Sequence, residues 1–387
     1  MKSSTIKIIS AALVLAASLP AAAVDFGGTL DDTTKFSSNA IDTLSLDQKN
    51  ALTGWLRIPF NNNGTMYLAT EGMFQYEYLG STETTYLVAD CTLLKFRMVN
   101  KLSAKNTFNL SAGRFAMSDA SSIIFSQTND GILAQFKFAR MNVSAYGGYT
   151  GLLNGKQVAI LNAASSTYAY DSESLYPLAA PYAVAGATFT APYLFANQTI
   201  GLQIYSFFGA ADTTSGYNRL YGTVTLNGPL AANVFYTLTS TFGTDDMFTS
   251  VGNLSQIQLS IYPPFASSSI TLSGVYASGN NGALSSFTGF TNNPATLALD
   301  GPKYAGLIKA GLFASIKPIE PLYFDAGADC VFGCPDSTVS YSGFQYYADA
   351  RYQLFTDVQL SAGAQQYFDK DDKTNKISFT AKAVISF

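Results

Sequence analysis

The chain of 387 residues has no histidine, three cysteines and one tryptophan, and only 12% of it is charged. Each shortage excludes something. Without histidine there is no imidazole base near neutral pH and no histidine-ligated metal. Ordinary soluble domains carry roughly twice this charge fraction, so the composition does not suit a protein wetted on every side. After residue 23 no apolar run approaches the ~20 residues that a membrane-spanning helix needs. No glycine-rich phosphate loop and no basic nucleic-acid patch occurs. Cys91, Cys330 and Cys334 lack companion ligands, so neither a metal nor any other cofactor is expected. The CVFGC segment leaves two readings open, a small disulfide-closed loop or two free thiols. An extended strand would hold its two sulfurs too far apart to bridge.

Aromatic residues and glycine are plentiful, with 24 Tyr, 28 Phe and 31 Gly. The amino terminus reads MKSSTIKIISAALVLAASLPAAA. Lys2 and Lys7 precede an apolar core from Ile8 to Leu19, and Ala21-Ala22-Ala23 supplies an A-x-A cleavage site, the pattern of a secretory signal peptide over 1–23. The mature chain, 24–387, then forms one domain. An exported chain this aromatic and this poor in charge needs apolar solvent on one side. With no spanning helix, a closed β-barrel is the remaining way to satisfy every backbone group inside a membrane.

The last stretch, Lys376 to Phe387, carries the pattern most clearly. Ile377, Phe379, Ala381, Ala383, Ile385 and Phe387 alternate with Ser378, Thr380, Lys382, Val384 and Ser386. This ending on an aromatic residue resembles the C-terminal strand of bacterial outer-membrane β-barrels of the porin type. In that class the terminal Phe is part of the signal read by the barrel assembly machinery, which assigns that role to Phe387. The resemblance implies outer-membrane lipid and small hydrophilic solutes as partners, with no nucleic acid, and allows a homo-oligomer. Enzymes built on such barrels resemble one another in using a histidine base, which is unavailable here, so no catalytic residue is assigned.

Period-two segments run through the whole chain. They read as strands at Val24–Leu30, Ala51–Phe60, Thr65–Leu79, Thr84–Val99, Asn106–Phe115, Gly131–Phe138, Asn142–Tyr149, Tyr182–Thr190, Gln198–Gly209, Tyr217–Asn227, Leu230–Phe242, Gly252–Tyr262 and Ser269–Ser278. Tyr304–Ile316, Ile319–Phe332, Gly343–Phe355, Asp357–Phe368 and Asn375–Phe387 complete the set. The alternation slips near Thr92, which predicts a bulge. Asp31–Lys49 reads as an acidic loop, and Thr150–Pro181 and Gly279–Pro302 as long polar loops. Short junctions alternate with long ones. The expectation is an all-β, transmembrane, antiparallel up-and-down barrel of about 18 strands (16–18), with short periplasmic turns and long extracellular loops.

If the apolar face meets lipid, the other face lines the lumen. Alternation assigns Arg57, Glu71, Glu77, Lys137, Arg219, Lys309, Asp325, Asp329, Asp349, Arg351 and Lys382 to it, joined by Lys95 and Arg97. A Lys or Arg facing mid-bilayer hydrocarbon costs roughly 2–4 kcal/mol, so this many charges out of phase with their apolar neighbours imply a wet interior. In a filled barrel they would instead pair with one another, but about 18 strands leave aqueous space. Between two strands, Ser118 to Asp130 has an apolar centre. Folded into the lumen as a constriction loop, it buries Ile123, Ile124 and Phe125 and presents Asp119, Gln127 and Asp130 to the pore. An ordinary surface loop over the mouth is the alternative. Arg114 stands ready to face Asp119 or Asp130. The expected function is passive diffusion of small hydrophilic solutes and ions. A gated transporter of hydrophobic compounds and a surface adhesin on a closed barrel are the alternatives.

Overall fold

A computed structural model describes residues 24–387 apart from 39–43, 159, 164–165, 168–172, 212–216, 246–247, 292–304, 337 and 371–374. Its strands are β1 (Asp25–Ser38), β2 (Leu44–Pro59), β3 (Met66–Leu79), β4 (Thr84–Lys101), β5 (Thr107–Ser118), β6 (Ser126–Lys137), β7 (Asn142–Tyr149), β8 (Leu161–Ala163), β9 (Ser166–Thr167) and β10 (Tyr182–Phe195). There follow β11 (Gln198–Gly209), β12 (Arg219–Ala231), β13 (Val234–Thr244), β14 (Val251–Ile261), β15 (Ser269–Ala277), β16 (Leu307–Ile319), β17 (Leu322–Gly333), β18 (Ser340–Phe355), β19 (Val358–Asp369) and β20 (Asn375–Ser386). Eighteen of them form one sheet, while β8 and β9 make a small ladder inside the loop after β7. Successive barrel strands pair antiparallel, with β7 meeting β10 across that loop. β1 pairs with β2 on one side and β20 on the other, so the sheet closes on itself. This is the all-β up-and-down barrel that the alternation predicts. Among the described residues no helix is long and apolar enough to cross a membrane; here strands form the wall.

Cross-strand partners share a face, so the register sorts the side chains. Leu52 pairs with Phe74, both about half exposed, and Phe379 pairs with Phe36 and Ala364. Such apolar rows cover the outer surface. The terminal residue extends the closure: Gly28 N donates to Phe387 O at 2.8 Å and Phe387 N to Gly28 O at 3.0 Å. The Phe387 ring lies against Gly28, where a Cβ would come within 2.8 Å of it.

The bulge is present: Glu71 pairs with Leu93 and Gly72 with Cys91, which leaves Thr92 unpaired. Other boundaries differ from expectation. The acidic stretch Asp31–Lys49 is mostly strand, because β1 runs on to Ser38 and β2 begins at Leu44. Asp31, Thr33, Lys35, Asp47 and Lys49 line the inner face, while Asp32, Thr34 and Gln48 put polar groups on the outer one, so the alternation that marks a strand is lost. Asp31, Asp32 and Asp47 are therefore strand residues, and Asp42 lies outside the described residues. β6 begins at Ser126, so the segment 118–130 splits, and Gln127 and Asp130 belong to the wall. β10 continues to Phe195, and the turn after β12 falls at Ala232–Asn233, past the Gly228–Pro229 junction that the sequence suggests. The signal-peptide segment lies outside the described residues. All three cysteines are free thiols, which decides against a disulfide in CVFGC.

Candidate functional site

The inner face holds most of the ionisable side chains of the strands, with Asp32 on the outer face an exception. On β2, Arg57 reaches Asp25 at 4.0 Å and lies over the Tyr67 ring at 4.4 Å. Its row continues through Ala69 to Lys95, and Arg97 stands opposite Tyr67. Lys95 lies over the Phe115 ring at 5.1 Å. Lys101 and Lys137 both face Thr107 near the end with short turns. These five cations occupy one sector, and among the described residues the one ion pair they form is that of Arg57. Higher on the same wall, Glu71 accepts from the Thr92 hydroxyl at 2.6 Å, and Glu77 accepts from Gln75 Nε2 at 2.9 Å.

Across the barrel the charges are paired. Arg351 donates to Asp349 at 2.8 Å and to Asp325 at 3.0 Å. Lys309 lies 3.7 Å from Asp329, which also accepts from Gln345 Nε2 at 2.9 Å, and all three are buried. Lys382 forms an ion pair with Asp31. Arg219 lies over the Tyr217 ring at 4.3 Å. These side chains fall in two unlike sectors of the wall, a paired network on β16–β20 and a sparsely paired cationic one on β2–β6, with Arg219 apart on β12.

The upper lumen is narrowed from inside. Between β5 and β6, residues 119–125 fold inward and cross to β11, where Gln203 Oε1 accepts from Ala120 N at 2.8 Å. Ile123, Ile124 and Phe125 are buried. The Phe125 ring packs on Phe207 and Phe290 with centroids at 5.2 and 6.0 Å. Asp119 does not face the pore. Its carboxylate accepts from Ser121 N at 2.7 Å, from Phe125 N at 2.9 Å and from the Ser121 hydroxyl, so it holds the loop's own turn together. Burial pushes its carboxyl above the ordinary range. Gln127 is on the inner wall with both side-chain amide atoms buried and unpartnered. Asp130 is in the wall, gripped by Arg114 at 2.7 and 2.8 Å. Arg114 therefore meets Asp130 and not Asp119.

Two further loops that read as plain polar loops also fold in. Phe290 N and Thr291 N both donate to Ile124 O, at 3.2 and 3.0 Å, and Leu161 N donates to Phe290 O at 3.1 Å. Phe290 stacks on Phe207 at 3.8 Å and meets Tyr182 edge-on at 4.9 Å. A signal for this exists in β11: Phe207 and Phe208 are adjacent, so both faces of the strand are apolar and the inner one needs a cover. The result is an aromatic mass against β10–β14.

No protein-family model matches the chain, and no curated protein does. Solved structures do. The outer membrane protein OprD from Pseudomonas aeruginosa matches with TM-score 0.60 and 12% identity, over 94% of this chain and 93% of that one. Pseudomonas aeruginosa OccK2 (OpdF) in complex with glucuronate matches with TM-score 0.61 and 10% identity, over 94% and 98%. Pseudomonas aeruginosa OpdK with vanillate matches with TM-score 0.58 and 9% identity, over 94% and 99%. In fold, then, this chain is similar over nearly its whole length to porin-like barrels of the bacterial outer membrane.

Proposed function

We propose that the protein is an outer-membrane diffusion channel for small hydrophilic solutes, with a preference for anions. The observation that carries this reading is the inner wall of β2–β6. There Arg57, Lys95, Arg97, Lys101 and Lys137 line one sector of an 18-strand barrel, with Asp25 at 4.0 Å from Arg57 as their ion-pair partner among the described residues. A barrel of this size keeps an aqueous lumen, and cations in a narrow low-dielectric passage raise the local concentration of anions. Two of the similar structures hold glucuronate and vanillate, both carboxylates, which agrees with this preference. Loop 119–125 and its companions set the size limit. Solutes cross without a chemical step. In this reading 1–23 is the export signal, and Phe387 serves the assembly machinery.

A second copy beside β1 and β2 also has support. Asp32 is exposed on the outer face, takes hydrogen bonds from Gln48 Nε2 at 3.2 Å, and is flanked by the exposed Leu30 and Phe36. A subunit covering this patch would shield a carboxylate from lipid. Mass measurement of the detergent-solubilised protein tests this: a monomer at every concentration would remove it.

The main test is single-channel recording in a planar bilayer under a salt gradient. Steady ohmic steps with an anion-selective reversal potential are expected. A folded, heat-modifiable barrel that never conducts would sink the channel reading.

A further inference from the structure

The barrel wall is incomplete between β4 and β5. β4 starts at Thr84 and β5 runs to Ser118, yet the two pair only from Leu94↔Arg114 to Lys101↔Thr107. Both strands are irregular where they part. Thr92 is bulged out of the β3 ladder. Gly113 takes φ of 110°, and a Cβ there would lie 2.0 Å from the Leu94 carbonyl oxygen. The bulge and the kink turn the strands away from each other, so β4 from Leu93 to Thr84 loses its neighbour. Leu87 and Leu94, 43% and 47% exposed on the outer face of β4, bracket the seam. It therefore occupies the outer part of the apolar band.

The loop between β7 and β10 fills the gap. Its two arms, 150–157 and 174–180, hold each other through Gly155 N to Pro177 O at 2.7 Å and Ala179 N to Leu153 O at 3.0 Å. This strap replaces the missing strand. Ala89 N donates to Leu175 O at 3.3 Å, Ala89 O accepts from Asn154 Nδ2 at 3.3 Å, and Leu87 O accepts from Lys156 Nζ at 3.2 Å. Leu152, Leu175 and Leu178 remain exposed on it.

The two edges of the strap are unequal. Toward β5, Arg114 donates to Leu152 O at 2.7 Å and to the Tyr176 hydroxyl at 2.6 Å, while Asp130 fixes the guanidinium. At the stem, Thr150 N donates to Tyr182 O at 3.0 Å, and Thr150 Oγ1 donates to Ala180 O at 2.6 Å. Toward β4 the strap has one backbone bond and two side-chain bonds, none shorter than 3.2 Å. A ladder along the same edge would bond continuously. The weak edge is therefore the β4 edge.

We propose that this strap is a lateral gate. Swinging off β4, it opens the wall between the lumen and the outer part of the membrane, and gives single-chain amphiphiles with an anionic head a route separate from the axial pore. The opening joins hydrocarbon to a polar interior, so a molecule using it needs an apolar chain and a charged head. Arg114 is held by Asp130 and lies 3.5 Å from Asp90, so the sign of that head is set by Lys156, which has no ion-pair partner among the described residues. The inference rests on the membrane-channel reading above.

The test uses the full mature chain in phosphatidylcholine vesicles, in a background with Cys91, Cys330 and Cys334 changed to serine. Ala89→Cys with Leu175→Cys ties the strap to β4 when oxidised. The probe is a fluorescent alkyl sulfonate, which does not cross bare lipid, read by its arrival at an entrapped quencher. Transfer by the reduced protein and its loss to the protein-free rate on oxidation are the expected results. Equal transfer in both states, including none, would overturn the gate. If the cross-link does not form, Asn154→Ala decides, since it removes the Ala89 bond and keeps Lys156. Loss of that strap bond is expected to raise amphiphile transfer roughly fivefold, and no rise overturns the proposal. Chloride conductance of the same preparation is expected to persist throughout. Its absence would count against the channel reading, while its presence with no amphiphile transfer counts against the gate alone.

Discussion

A methyl group at Gly113 would meet the Leu94 carbonyl oxygen at 2.0 Å, and the φ of 110° there is closed to L side chains. Backbone cannot yield as a side-chain tip can. Gly113→Ala is therefore expected to cost at least about 1–3 kcal/mol, seen as a lower midpoint in heat-modification or urea unfolding. A wild-type midpoint would show that β5 has another conformation at this point. Asp119 works differently. Its carboxylate gathers Ser121 N and Phe125 N, and Asp119→Ala leaves those buried donors unpaired at about 1–3 kcal/mol each. The loop then loosens, so larger and noisier single-channel currents are expected, with the barrel intact. Quiet wild-type currents would mean that the aromatic packing alone holds the loop. From the sequence, Asp119 reads as a pore charge because an acid in a loop is usually solvated. Its partners are amides of its own turn, which composition does not reveal.

At the scale of elements, the strands were legible and the loops were not. Period two marks a strand wherever one face meets lipid and the other water, and Ile377 to Phe387 is the clearest case. It fails where the outer face carries polar residues as well, as at Asp32, Thr34 and Gln48, and a strand then passes for a loop. It is silent on what loops do, since Phe290 sits among Gly, Thr and Asn yet stacks on Phe207 at 3.8 Å. Only the apolar centre at Ile123–Phe125 announced its inward fold. Phe290 ties the loop after β15 to loop 119–125, so its removal frees both. Phe290→Ala is expected to cost about 3–5 kcal/mol locally and to raise conductance by releasing two loops together. A conductance equal to that of wild type would place the narrowest point elsewhere.

For the whole molecule, the question is which charges the permeating solute feels. Among the described residues the paired sector leaves no cation free: Arg351 sits between Asp349 at 2.8 Å and Asp325 at 3.0 Å, and Lys309 lies 3.7 Å from Asp329. Lys95 and Arg97 have no such partner among the described residues, and they share a wall with Arg57 and Tyr67. At 0.1 M salt, screening acts over about 10 Å. Wall charges thus govern ions where loops crowd the lumen and matter less in a wide vestibule. Lys95→Glu with Arg97→Glu exchanges two cations for two carboxylates and cancels the net positive charge of this sector, without touching the β16–β20 network or the closure at Phe387. The reversal potential is expected to move toward cation selectivity, more strongly at low than at high salt, with the unfolding midpoint little changed. If the potential does not move, the β2–β6 wall is not the selective surface. Selectivity would then pass to the loop-narrowed level above it, where Asp119 is already committed to its own turn and Arg114 to Asp130, so that ions would be sorted by size more than by sign.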